Sequence, residues 1–180
     1  MNQPALLIRP STAADLPRTT AIYSHHVRYG TGTFELEPPS EAEMARRRDD
    51  VLSRGLPWLV AEQEGIVVGF AYANHFRPRP AYRFCLEDSV YLEIGAFGQG
   101  LGRALLAELL ARCAALGARQ MLAVIGDSEN LASIGVHRAL GFEHTGLIKA
   151  SGWKFGRWLD VVLMQRPLGL GDSSAPQDPA

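Results

Sequence analysis

The period of the hydrophobic pattern changes several times along the chain, and each change marks an element. Residues 5–9 form a short apolar run that predicts a strand. Ser11 or Thr12 can then serve as an N-cap, with Asp15 three residues after Thr12 resembling a capping box, for a helix carrying Ile22 and Tyr23. Residues 27–39 are dense in Gly, Thr and Pro, which suits an irregular connection. Ser40 with Glu43 repeats the capping signature for a helix to about Arg54, ended by Pro57. Residues 58–62 and 66–73 are β-rich runs separated by Gln63-Glu64-Gly65, a hairpin composition. A basic, proline-broken loop covers residues 76–83. Residues 84–92 alternate as a strand, with Phe84, Leu86, Val90 and Leu92 on one face and Cys85, Glu87, Ser89 and Tyr91 on the other.

Beyond a glycine-dense turn, Leu101, Leu105, Leu109 and Cys113 recur at helical spacing, and Gly117 is placed to stop that helix. Residues 121–125 read as a buried strand, and residues 130–140 as a helix closed by Gly141. Strands at about 143–149 and 157–165 follow, and the tail from Gly169 has the composition of a disordered segment. Strands and helices alternate without strict βαβ regularity, so the expected architecture is one α/β domain, residues 5–168, built on a mixed sheet with helices on its faces.

Composition supports that picture and narrows the partners. A chain of 180 residues, 47% hydrophobic and 21% charged, can bury one substantial core. Its net charge of -1 comes from 18 basic and 19 acidic residues spread along the chain, which leaves no footprint for nucleic acid or an anionic membrane. A small-molecule partner is left by elimination. Cys85 and Cys113 lie apart, with no CxxC and no His at ligand spacing, so neither a disulfide framework nor a metal site is expected and a reducing cytoplasm fits. The first ten residues lack the basic flank of a secretory signal, and no apolar run approaches the roughly 20 residues of a membrane helix.

The most informative local feature is Gly95-Ala96-Phe97-Gly98-Gln99-Gly100-Leu101-Gly102, between a strand and a helix. Such a turn exposes main-chain N–H groups at a helix N-terminus, where a diphosphate is favoured. It is not a P-loop, because Gly102 is followed by Arg103 and Ala104, and it does not match a dinucleotide-binding GxGxxG. Taken alone, the glycines are equally compatible with a tight turn that binds nothing.

Together with Asn130-Leu131-Ala132-Ser133 and His137-Arg138-Ala139-Leu140-Gly141-Phe142, the segment Gly98-Gln99-Gly100-Leu101-Gly102 resembles the acetyl-CoA signature of the GNAT family of N-acetyltransferases. The resemblance extends from Ile8-Arg9-Pro10 to about Leu168. It is strongest toward the phosphinothricin and methionine sulfoximine acetyltransferase branch, through residues 21–25, Trp58-Leu59-Val60-Ala61-Glu62, Val90-Tyr91 and residues 154–160. It implies a mostly antiparallel twisted sheet flanked by helices and direct acetyl transfer in a ternary complex, without metal or covalent intermediate. It also implies a small-molecule amine acceptor and a homodimer.

Carried onto this chain, the resemblance assigns acetyl-CoA contacts to Val90, Tyr91, Leu92, Phe97, Gly98, Gln99, Gly100, Leu101, Gly102, Arg103, Asn130 and Ser133. Phe97 departs from the family's usual Gln or Arg, which should weaken CoA binding without abolishing it, since the expected contacts are main-chain N–H groups. Glu87 occupies the position of the branch's general base; its alternative is a surface carboxylate on a half-exposed strand. His137 stands where other members carry a Tyr as thiolate acid, and an imidazole titrating near neutrality could donate that proton. The alternative is a helix histidine satisfied by a backbone carbonyl. Asn130 is read as a pantetheine contact or an ordinary N-cap. Arg79 and Tyr82 match acceptor-binding positions, Arg being suited to bidentate pairing with carboxylate or phosphinate. Phe34, Trp153 and Lys154 are candidates for the pocket wall. Competing functions are acetylation of a protein N-terminus, a non-catalytic acyl-CoA sensor, and nicotinamide binding.

Overall fold

Alternation of apolar and polar residues becomes a seven-stranded sheet in the computed structural model, which describes residues 5–177. The strands are β1 (Leu6–Pro10), β2 (Trp58–Gln63), β3 (Ile66–His75), β4 (Cys85–Leu92), β5 (Gln120–Gly126), β6 (Glu143–Lys154) and β7 (Arg157–Pro167). Their spatial order is β1-β2-β3-β4-β5-β7-β6, and only the β4–β5 pair is parallel. The helices are α1 (Leu16–Tyr29), α2 (Glu41–Ser53), α3 (Leu101–Ala115) and α4 (Leu131–Ala139).

The period of 2 along β4 sorts the helices onto two faces. Tyr91 meets Tyr23 of α1 with ring centroids 4.9 Å apart, so its face belongs to α1, with α2 packed beside it. Leu92 and Asp88 point the other way: a Cβ on Gly102 of α3 would lie 3.3 Å from Leu92, and Asp88 bonds His137 of α4. Trp58, Phe70, Leu105, Leu109 and Met121 are among the fully buried side chains between these layers.

Local signals act as expected at two helix starts. The Asp15 carboxylate accepts from the Thr12 N–H at 2.7 Å, and Ser40 Oγ accepts from the Glu43 N–H at 3.2 Å. Arg9 then bridges Asp15 and Glu62, joining β1, β2 and the entry to α1.

Two elements run longer than their patterns predict. α1 continues to Tyr29, because Val27 is buried in the same core as Ile22 and Tyr23. β6 continues to Lys154 rather than ending near 149, across an irregularity between Ile148 and Gly152 where the Ala150 N–H bonds Asp160 Oδ1 at 2.9 Å. Sequence periodicity is lost at such a bulge, which inserts residues into one strand only. Residues 169–177 form neither helix nor strand; Arg119 donates to the carbonyls of Gly171 and Ala175.

The β6 irregularity ends at a close packing contact. A Cβ on Gly152 would lie 2.3 Å from the Phe34 ring, and one on Gly126 of β5 would lie 2.9 Å from the same ring and 2.5 Å from the Thr31 carbonyl. Phe34 is therefore clasped between two glycines and cannot retreat from either. Gly152→Ala is expected to destabilise the protein by roughly 1–3 kcal/mol, the usual cost of overpacking. Thermal unfolding of the single variants and of Gly152→Ala/Phe34→Ala checks this, the double variant losing less than the sum of the two.

Candidate active site

The parallel β4–β5 register covers only Cys85↔Gln120, Leu86↔Met121 and Glu87↔Leu122. Past those positions β4 keeps β3 and β5 keeps β7, but the two strands no longer bond each other. Unpaired main-chain groups need partners, and the split they border opens into a groove of about 1160 Å³. Ser89, Val90, Tyr91 and Leu92 line one side, and Ala123 to Gly126 the other. The Leu92 carbonyl is taken by His26, whose Nε2–H donates to it at 2.7 Å. Burial holds the His26 imidazole below its ordinary pKa, in keeping with a neutral ring that carries its proton toward a carbonyl.

At the end of the groove lies the glycine turn. Gly98 and Gly100 have φ of 75° and 78°, in the left-handed region, and Gly100 caps α3. The helix ladder starts only at the Ala104 N–H, which bonds the Gly100 carbonyl at 3.0 Å. Gly98, Gly100, Leu101, Gly102 and Arg103 line the groove, so the unpaired N–H groups of the first turn form an anion cradle at its mouth. Phe97 is 52% exposed and also lines it, near the His26 ring. Gln99 is the exception, its side-chain amide turning back to donate to the Gly95 carbonyl at 3.0 Å.

Glu87, on the α1 face of β4, lines this groove and a second cavity of about 360 Å³ bordered by Asp50, Arg54, Asn74, His75, Phe76, Arg77 and Pro78. Burial, and next the charge of Asp88, push the Glu87 carboxyl above the usual carboxylate range, with Arg77 opposing. A raised carboxyl in a cleft is a poised proton acceptor. The residues 76–83 loop thus brings Arg77, not Arg79, to the cavity wall. Arg79 and Tyr82 are exposed and line neither cavity; Tyr82 packs on Phe76.

Asn130, Ser133 and His137 share the groove-facing side of α4 as their spacing predicts. Asn130 is an N-cap, its Oδ1 accepting from the Ser133 N–H at 3.2 Å, and it lines the groove as well. His137 is buried, with Nδ1 at 2.7 Å from the Ser133 carbonyl and Nε2 at 2.9 Å from Asp88 Oδ2. Burial opposes its charge, but the Asp88 carboxylate prevails and lifts the imidazole above its ordinary pKa. Phe34 lines the groove, whereas Trp153 and Lys154 do not. Lys154 instead donates from Nζ to the Thr33 carbonyl at 2.8 Å, anchoring the segment that carries Phe34.

Sequence reasoning passed over Asp88, Asn74 and His26, and read Arg77 only as part of the basic loop Arg77-Pro78-Arg79-Pro80 that suggests a small anionic acceptor. Asp88 did leave a signal, being the one polar residue on the otherwise apolar face Phe84-Leu86-Val90-Leu92. Asn74 and His26 gave none, because cross-strand pairing of Asn74 with Glu87 and the approach of α1 to Leu92 exist only after folding.

Residues 19–142 match the acetyltransferase (GNAT) family. The chain is 55% identical to a phosphinothricin N-acetyltransferase of Alcaligenes faecalis, covering 96% of this chain and 88% of that protein. It is 42% identical to an L-methionine sulfoximine/L-methionine sulfone acetyltransferase of Pseudomonas aeruginosa, over 88% of this chain and 92% of that one. The structure of a phosphinothricin acetyltransferase from Sinorhizobium meliloti in complex with acetyl-CoA superposes with a TM-score of 0.94 at 53% identity, covering 96% of this chain and 94% of that one. With the split sheet, the amide cradle and a seven-stranded, mostly antiparallel architecture in agreement, the chain belongs to the GNAT family of acetyltransferases.

Proposed function

We propose that the protein transfers the acetyl group of acetyl-CoA to the amine of a small anionic amino acid of the phosphinothricin or methionine sulfoximine type, by direct transfer in a ternary complex. The observation that carries this reading is the position of Glu87, the one described residue lining both cavities. The relatives named for these two acceptors support the substrate class.

The residues present suit acetyl-CoA. The cradle of Gly98 to Arg103 would hold its diphosphate, and Asn130, Ser133 and the free edges of β4 and β5 would hold the pantetheine arm. Bound there, acetyl-CoA supplies an activated acyl thioester. The second cavity receives the acceptor, with Arg77 at its wall to offset an anionic group and Asn74 beside Glu87, while Arg54 there is already paired with Asp50. Arg79 and Tyr82, on the same loop but on neither cavity wall, are the further residues this reading offers to the anionic group. Glu87 accepts a proton from the ammonium, directly or through water, so that a neutral amine meets the carbonyl across the split. A cavity of about 360 Å³ fits a single amino acid better than a protein terminus.

Two wider features belong to the same reading. We infer a homodimer: β6 is an edge strand, and Ile148, Trp153, Phe155 and Trp158 around its hairpin are 49%, 56%, 55% and 61% exposed. We also place the protein in the cytoplasm, where acetyl-CoA is available and Cys85 and Cys113 stay reduced. None of the described helices is long and apolar enough to cross a membrane.

Glu87→Gln is expected to lower kcat by about 10²–10⁴ at neutral pH, while calorimetry finds acetyl-CoA affinity unchanged. A base must be deprotonated to act, so wild-type kcat/KM rises with pH through a value above the ordinary Glu range, and the variant loses that limb. Gly100→Ala places a Cβ at a φ of 78°, costing about 1–2 kcal/mol of stability, which thermal unfolding should show as a lower melting temperature. Sedimentation equilibrium should give twice the 19.6 kDa chain mass, and Trp153→Asp should shift it to monomer.

A further inference from the structure

Asp88 follows Glu87 on β4, yet its side chain leaves the opposite face of the sheet and is only 7% exposed. It is the first residue of β4 beyond the β4–β5 register, and its Oδ2 reaches His137 Nε2, at 2.9 Å, on the helix that follows β5. The pair therefore spans the split on the α3 and α4 side. At the other end of the ring, Nδ1 lies 2.7 Å from the Ser133 carbonyl oxygen and 3.4 Å from its hydroxyl.

Donor and acceptor chemistry bears on the state of that ring when Asp88 is a carboxylate. A carbonyl oxygen only accepts, so Nδ1 carries a proton; an ionised carboxylate only accepts, so Nε2 facing it carries another. Asp88 Oδ1 has no hydrogen-bond partner among the described residues and is closed off from the surface. An imidazolium there would compensate a buried carboxylate, and either charge without the other would be strongly disfavoured. Both residues also line the acetyl-CoA groove. An imidazole with both nitrogens so held is poorly placed to hand over a proton.

We propose that Asp88 is a positioning residue that keeps His137 as a fixed imidazolium against the groove, so that the CoA thiolate departs beside a standing positive charge. The proposal rests on the acetyl-transfer reading of the groove. In the transfer, nitrogen gives one proton to Glu87 before attack and a second as the new C–N bond becomes an amide. The electron pair of the C–S bond moves onto sulfur, and that second proton neutralises the thiolate. His137 keeps both of its protons throughout and acts through its field, as preorganised charges do in a water-poor site.

The groups around the pair are few. Glu87 adjoins Asp88 on β4 and is itself faced by Arg77 from the loop. Cys113 of α3 is buried near Asp88, its thiol pushed up to about 12 by burial and then by that carboxylate, so it stays neutral. The Phe142 ring stands edge-on to His137 at 4.9 Å.

Asp88→Asn separates charge from shape, since the amide retains the size and can still hydrogen-bond Nε2. Nitrogen-15 spectra of the histidine rings, with His137 assigned by substitution, should show both of its ring nitrogens protonated at neutral pH in the wild type and only one in Asp88→Asn. With methionine sulfoximine as acceptor, kcat should fall on the order of 10–100-fold, while calorimetric CoA affinity changes less than about twofold. A purely structural brace would leave kcat of Asp88→Asn at the wild-type level and lower it only in Asp88→Ala, together with the melting temperature. That result, or a wild-type His137 ring with a single proton, overturns the proposal. Should Asp88→Asn fail to fold, the wild-type ring spectrum still decides. Absence of wild-type turnover with every acceptor would instead strike the acetyl-transfer reading, because the ring spectrum reports on the pair without any substrate.

Discussion

The three-residue register between β4 and β5 is the constraint on which the rest of the site depends. A sheet that stayed paired would bury its main-chain groups in a continuous ladder and leave no room for a ligand. Parting after Glu87 and Leu122 leaves two strand edges whose N–H and C=O groups must find other partners. His26 satisfies one of them at Leu92, and a ligand with an amide-bearing arm suits the others. The split also places Glu87 where two cavities meet, and sets α3 with its amide cradle at the groove's far end.

Keeping such a split open takes side chains on both faces. On the α1 side, Tyr23, Phe70, Tyr72 and Tyr91 form a ring cluster, with Tyr72 stacked on Trp58 at 4.2 Å. The Tyr23 hydroxyl also contacts Thr33 and Glu35, which, together with the Lys154 bond to the Thr33 carbonyl, fixes the segment carrying Phe34. On the α4 side the Asp88–His137 pair closes the span. Aromatic packing tolerates small shifts of its members, whereas a hydrogen-bonded buried ion pair holds one geometry. The α1 side of the split is thus shaped by packing and the α4 side by a buried polar pair.

The two carboxylates of β4 illustrate how adjacent residues acquire different chemistry. Glu87 faces a cavity with an arginine at its wall and has a raised pKa from burial and a like charge. Asp88, one residue on, leaves the opposite face of the sheet, where it is buried against the groove and hydrogen-bonded to His137. Alternation along a strand assigns them to separate environments at no structural cost, so one can move a proton while the other holds one in place.

Much of this was written in the sequence, because it depends on neighbours in the chain. The capping residues Asp15 and Ser40, the hairpin at residues 58–73 and the glycine turn before α3 are local devices whose physics involves a few consecutive residues. The joint glycine, Asn130 and His137 pattern identified the family for the same reason: each piece occupies a fixed offset. Tertiary structure decided what no local pattern encodes. It set where β4 and β5 part, that Arg77 rather than Arg79 borders the cavity, and that Asn74 sits across from Glu87. It also decided that His137 has a hydrogen-bond partner at each ring nitrogen, because Asp88, 49 residues earlier, reaches it only when α4 packs on the sheet. Periodicity reports which face a residue occupies, but the partner it meets there is fixed by the closure of long loops, and that information is spread over the whole fold.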